Sequence, residues 1–195
     1  MSNDPTTEIA NELEPGEKLL WSGQPRQGIL FRSSDIILIP FSLLWGGFAI
    51  FWEIGVLSAT SRHNSSNPDI VRYLFPLWGI PFVAVGLYMI VGRFFVDSAQ
   101  RRKTAYGITD RRVIIRSGIF TRSTKSLNLR TLSDVTLSER ADGNGTITLG
   151  AIAGVYSWFY GTSWPGMGRQ QAPCLDTITH AKNVYEILRR AQSAA

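Results

Sequence analysis

Hydrophobic positions fall along this chain in four different patterns. Up to about residue 35 they are sparse and scattered among polar residues. Ile36 to Leu57 is then apolar throughout except Ser42 and Glu53, and Leu74 to Val91 carries no charge at all. A helix needs about 20 mostly apolar residues to cross the hydrocarbon core of a bilayer, so both stretches qualify as transmembrane spans, expected over about 36–57 and 74–95. Two buried helices of a soluble protein are the competing reading, and uncharged runs of this length count against it. From residue 97 onward the period drops to two. Tyr106 and Ile108 share a face with Thr104, and Val113 and Ile115 oppose Ile114 and Arg116. Leu127 and Leu129, Val135 and Leu137, and Ile147 and Leu149 alternate with polar residues. The polar runs Thr109-Asp110-Arg111 and Asp142-Gly143-Asn144-Gly145 read as hairpin turns. Short alternating runs with turn residues between them predict an antiparallel sheet with one wet face.

The period changes once more at the end of the chain. Ala181, Val184, Tyr185 and Leu188 make one apolar stripe at helical spacing, predicting a helix over 180–191 with Thr179 as its N-cap. Arg189 and Arg190 suit the negative end of its dipole. The expected organisation is an N-terminal segment over 1–35, a helical hairpin over 36–96 and a β domain over 97–195. Leu19-Leu20-Trp21 fits either a strand at the edge of that domain or a segment lying on a membrane surface.

Charge changes the picture by setting an orientation. Residues 1–35 carry a net −3, residues 36–96 a net +1 and residues 97–195 a net +7. The connecting loop holds Arg62 and Arg72, whereas Lys18, Arg26 and Arg32 precede the first span and Arg93, Arg101, Arg102, Lys103 and Arg111 follow the second. The positive-inside bias therefore puts both termini and the β domain in the cytoplasm, at the inner membrane. A basic domain directly after a span suits anionic lipid, with nucleic acid the competing reading. No basic n-region and apolar h-region open the chain, so no cleavable signal peptide is expected. Cys174 stands alone, which leaves no intrachain disulfide and fits a reducing compartment.

Within the spans, Pro76 is expected in a first helical turn and Pro81 at a kink. Gly46, Gly47, Gly55, Gly79 and Gly86 either let the helices approach closely or reflect the frequency of glycine in membrane helices. Arg93 is expected to snorkel outward. Glu53, about one turn from a helix end, reads as a hydrated carboxylate or a partner of Arg72 rather than part of a proton relay.

Candidate chemistry is thin. His63 and His180 fall in separate regions, and no Ser/His/Asp set, HExxH or phosphate-binding loop occurs. No enzymatic activity, metal or cofactor is expected. Two features remain. Arg101, Arg102 and Lys103 leave the second span together, and Arg111 and Arg112 form the first hairpin turn; these five are candidate anionic-lipid contacts, weighed against a purely topological role. Ala151 to Ala172 is long for a hairpin connection and concentrates Tyr156, Trp158, Phe159, Tyr160 and Trp164 among glycines. Its rings cap the barrel, rest at the membrane interface or meet another subunit. Trp158, Phe159, Tyr160 and Trp164 are the candidate interface.

Several antiparallel strands closed by one C-terminal amphipathic helix would satisfy a pleckstrin-homology-like (PH-like) barrel. The run YGITDRRVIIRSG (Tyr106 to Gly118), the Leu127–Leu137 strands and GTITLG (Gly145 to Gly150) resemble the bacterial PH-like domain family of membrane proteins. GEKLLWSGQP (Gly16 to Pro25) and LDTITHAKNVYEILRRAQ (Leu175 to Gln192) are similar to members with this layout. The resemblance implies a split barrel on a membrane anchor and implies no reaction. The expected function is a non-enzymatic, membrane-anchored interaction module that self-associates. An anionic-lipid sensor and an accessory subunit of a transporter or membrane enzyme are the alternatives. Expected partners are membrane lipids and a second copy or another protein, with neither nucleic acid nor a small-molecule substrate.

Overall fold

The computed structural model describes residues 4–31, 35–62, 70–119, 121–150 and 172–195. The chain forms two compact units. The first takes the N-terminal stretch through Gly28 together with the chain from Asp97 onward, and the second takes Ile29–Val96.

The first unit holds two antiparallel sheets and a closing helix. β1 (Leu19–Gly23), β2 (Ala105–Thr109), β3 (Arg112–Ser117) and β4 (Ser123–Asn128) form one sheet in that order. β5 (Val135–Glu139), β6 (Gly145–Leu149) and β7 (Cys174–Ile178) form the other. The ambiguity at Leu19-Leu20-Trp21 is resolved in favour of a strand: Gly23 pairs with Tyr106 and Trp21 with Ile108, with a bulge between Leu19 and Trp21. The β domain therefore recruits sequence from before the apolar segments, and the helical hairpin is an insertion between β1 and β2.

The inward positions are those the alternation marks. Tyr106, Ile108, Val113, Ile115, Leu129, Ile147 and Leu149 cluster with Leu175, Ile178, Val184 and Leu188 in one core. The Tyr106 hydroxyl accepts a hydrogen bond from the Asp176 amide (3.1 Å), tying the two sheets together. The last helix, α5 (Ala181–Ala194), buries its Ala181/Val184/Leu188/Ala191 stripe. It begins not at a Thr179 cap but after His180, whose φ of 53° is left-handed and whose side chain makes no capping bond. β7 is an addition that the sequence pattern does not mark, and β4 ends before Leu129, which lies in a 3-10 turn (Leu129–Thr131).

The expectation of one wet face fails for the first sheet. A short helix, α1 (Pro5–Ala10), is capped by Asp4 and covers the outer face, where Ile9, Ala105 and Ile114 are buried together. Ile9 reaches the backbone of β2 because position 107 is glycine: a Cβ there would lie 2.5 Å from Ile9 Cγ2.

The second unit is a helical hairpin. α2 (Asp35–Arg62) and α3 (Ile70–Leu87) are followed by a π-helical turn (Tyr88–Gly92) and α4 (Arg93–Arg102), so helix continues seven residues past the expected end at 95. Pro76 lies inside α3 rather than in a first turn, because α3 starts six residues earlier. Gly46 and Gly86 meet: a Cβ on Gly86 would fall 2.8 Å from the Gly46 Cα. Gly79 faces the Glu53 carboxylate, while a Cβ on Gly47 or Gly55 would touch nothing within 4 Å. Only part of the glycine set is thus a packing device. Arg93 does not snorkel. Its guanidinium pairs with Asp35 (3.0 Å) and lies over the Phe94 ring.

Candidate functional site: the basic ends of the β domain

The five basic candidates fall into two groups at opposite ends of one strand. Arg101, Arg102 and Lys103 precede the start of β2, and Arg111 and Arg112 follow its end. Five antiparallel residues separate them by about 14 Å, so they form no single patch. The structure also divides each group into occupied and available side chains.

Arg112 is occupied. Its Nε donates to Glu17 Oε1 and its Nη2 to Glu17 Oε2, both at 2.9 Å, in a two-point pairing that a planar guanidinium makes well. It also donates to the Glu12 carbonyl (3.0 Å) and pairs with Glu14 (3.2 Å). Glu17 is buried, and it further accepts from the Thr109 hydroxyl (2.7 Å) and the Glu14 amide (2.8 Å). The hydrogen bonds from Arg112, with those from Glu14 and Thr109, outweigh the cost of burial and lower the Glu17 carboxyl from 4.5 to about 2. The same pair raises Arg112 above the usual arginine range.

Arg101 is occupied as well, and at 4 % exposure it has no surface to offer a membrane. It donates to the carbonyls of Arg26 (3.1 Å) and Gly28 (2.7 Å) and pairs with Asp97 at 2.6 Å. Gln27 returns a bond to the Arg101 carbonyl (3.3 Å). These contacts fasten together the two passages by which the chain leaves and re-enters the β domain. Among the five candidate lipid contacts, Arg101 and Arg112 are thus engaged by the chain's own groups and act as internal fasteners. A basic run in sequence reports charge count, not which guanidinium meets a carboxylate or carbonyl from a distant segment.

Three of the five stay exposed: Arg102, Lys103 and Arg111. Lys103 reaches only the Ile119 carbonyl (3.1 Å) at the surface. Arg111 borders a groove of about 730 Å³ at the far end of the domain, shared with Leu20, Asp110, Arg130, Ile187 and Arg190. Nothing in the linear sequence singles out Arg130, and helical spacing places Arg190 at the negative end of the α5 dipole. They join Arg111 where α5 packs against the 3-10 turn, with Gln192 donating to the carbonyls of Leu129 (3.3 Å) and Leu132 (2.7 Å).

Trp158, Phe159, Tyr160 and Trp164 lie outside the described residues. The flanks of their segment are described: the Gly150 amide donates to the Asp134 carbonyl (2.6 Å) and the Leu149 amide to the Pro173 carbonyl (2.8 Å). Among the described residues no three His, Cys, Asp or Glu side chains converge where they could hold a metal ion.

Comparison with known proteins agrees with this architecture. The chain is 24 % identical over 199 residues to an uncharacterized 23.7 kDa protein in the puhA 5′ region of Rhodobacter capsulatus, covering 98 % of this chain and 86 % of that one. No solved structure gives a significant match. The profile of the bacterial PH domain matches residues 49–190, which take in all of β2–β7 and the greater part of α5, and the chain belongs to the bacterial PH domain family.

Proposed function

We propose that the chain is a non-enzymatic binding module of the PH kind, anchored in the cytoplasmic membrane by the hairpin inserted between its first two strands, and that it self-associates there. The observation that carries this reading is the hairpin's surface. Two helical stretches, Asp35–Ser61 and Pro76–Arg102, have the length and composition to cross a bilayer. The pair buries small residues at its contact, Gly46 against Gly86, and turns large apolar side chains outward: Leu44, Phe51 and Trp78 are 74, 74 and 67 % exposed. A water-facing surface of that composition is a liability, whereas lipid is its natural solvent. Both termini and the PH-like domain then face the cytoplasm.

Arg102 and Lys103, next to the end of the second span, add nonspecific attraction to anionic lipid of about 1 kcal/mol each. A lipid-sensing role is the second reading. Salt-labile binding to phosphatidylserine vesicles fits bulk electrostatics, and headgroup-selective binding that survives moderate salt fits a sensor.

The anchor is tested by alkaline carbonate extraction and by reporters fused after Ser66 and after Ala195. Retention in the membrane with an external first reporter and a cytoplasmic second is expected; release by carbonate, or the opposite orientation at both sites, defeats it. Self-association is tested by native mass spectrometry in mild detergent. Trp158→Ala and Trp164→Ala are expected to shrink the oligomer or loosen membrane association while leaving thermal stability little changed. If each instead unfolds the protein, with losses of about 3–5 kcal/mol, the rings belong to the core.

A further inference from the structure

The groove at the far end of the β domain carries more than the module reading uses. We propose that it binds an acidic, partly apolar peptide segment of a protein partner, with Arg111, Arg130 and Arg190 taking its carboxylates. The inference rests on the reading of the domain as a binding module.

Charge gives the first argument. Three guanidiniums border the groove against one acidic side chain, Asp110, which already accepts the Lys18 amide (3.0 Å), and the α-carboxylate of Ala195, so cations outnumber anions by one. Among the described residues, neither Arg111 nor Arg130 has a side-chain ion pair. The nearest acid to Arg190 is Glu186 at 3.7 Å, with both side chains open to solvent, a contact an incoming carboxylate can replace.

The lining gives the second. Leu20 is 45 % exposed, because the bulge between Leu19 and Trp21 displaces it from the inward register of β1. It lines the groove with Ile187, so apolar and cationic side chains border the same space. A lone inorganic anion gains nothing from the apolar lining. A segment carrying carboxylates on either side of an apolar side chain uses both, and about 730 Å³ lies within the usual range of ligand sites.

The groove lies past Leu19 and Thr109, at the end of the β1–β2 ladder away from Gly23 and Tyr106. Preorganisation gives the third argument. The Thr109 hydroxyl accepts the Arg111 amide (3.2 Å), Asn128 caps the turn bearing Arg130 (2.9 Å), and Gln192 locks α5 to that turn.

The test uses the full chain in a neutral detergent, with a short fluorescent peptide alternating Glu and Leu as probe and anisotropy as readout. Arg130→Ala/Arg190→Ala is expected to weaken binding at least about tenfold, or roughly 1.4 kcal/mol, with an unchanged melting temperature. Arg102→Ala/Lys103→Ala is expected to leave it intact. In a parallel arm, binding to phosphatidylserine vesicles should follow Arg102 and Lys103 and ignore Arg130 and Arg190. Failure of the folded wild-type chain to bind the peptide, peptide binding indifferent to the arginine pair, or vesicle binding that depends on that pair each overturns the inference, the last by assigning the groove to lipid. Should the Arg130/Arg190 double variant lose its fold, Arg130→Glu alone replaces it, with the same tenfold loss expected. The membrane anchor and self-association are measured separately, so loss of peptide binding with both intact sinks this inference and spares the broader reading.

Discussion

Glu17 and Arg112 hold each other from 95 residues apart in sequence, and the pair sets how the β domain responds to acid. The carboxyl titrates at about 2 in the folded chain against 4.5 when free. Its contribution is therefore complete above pH 4.5 and is lost as pH falls through about 2. Allowing for solvent at the open side of the pair, that contribution is on the order of 1–2 kcal/mol. Glu17→Gln should remove this part of the acid dependence. It should also cost about 2–3 kcal/mol at neutral pH, because Arg112 then sits half-buried without its carboxylate. Denaturant titrations in detergent across that range check both; an unchanged acid profile would show the pair to be decorative. Gly107 makes a second residue-scale prediction. Gly107→Ala places a methyl 2.5 Å from Ile9 Cγ2 and should lift α1, costing about 1–3 kcal/mol and exposing the N-terminal segment to protease. Adding Ile9→Ala should recover part of that loss, since the clash goes with the side chain; no recovery would place the strain elsewhere.

At the scale of elements, the hairpin depends on one close approach and the sheet on one early strand. Gly86→Val forces the backbones of α2 and α3 apart at Gly46, where there is no flexible side chain to give way. The expected result is a hairpin whose helices remain but whose contact loosens, read as reduced crosslinking between cysteines introduced at positions 49 and 83. Gly47→Val, where the space is open, is the matched control and should change little. Equal effects of the two would mean that Gly86 is not a packing position.

At the scale of the whole molecule, the insertion makes the β domain discontinuous. A fragment starting at residue 97 lacks β1, α1 and Glu17. It would leave β2, buried along its whole length, with an open edge and a bared outer face. Such a fragment should aggregate or fail to unfold cooperatively. Residues 4–28 joined by a short flexible linker to residue 97 should restore a cooperative transition, because the Arg101 contacts already hold the two passages together. A stable, cooperatively folded 97–195 fragment would show β1 to be an accessory strand.

Sequence alone determined the features that local chemistry controls. Uninterrupted apolar length marks the two long helices, alternation marks β2, β3, β5 and β6 and names most of their core residues, and a stripe at helical spacing marks α5. The hairpin turn at Asp142–Gly145 and the family resemblance are legible for the same reason, since each depends on residues close together in the chain. Tertiary structure decided what depends on partners far away. Leu19–Trp21 became a strand because β2 offers an edge some 80 residues later. Arg112 became a fastener because Glu17 reaches it from 95 residues away, and Arg101 because the carbonyls of Arg26 and Gly28 do; only the Arg101–Asp97 pair, four residues apart in α4, follows a spacing rule. The groove of Arg111, Arg130 and Arg190 arises where a turn, a 3-10 helix and the end of α5 converge. A charge pattern read along the chain counts guanidiniums, but only the folded backbone decides which of them meet a carboxylate and which are left facing water.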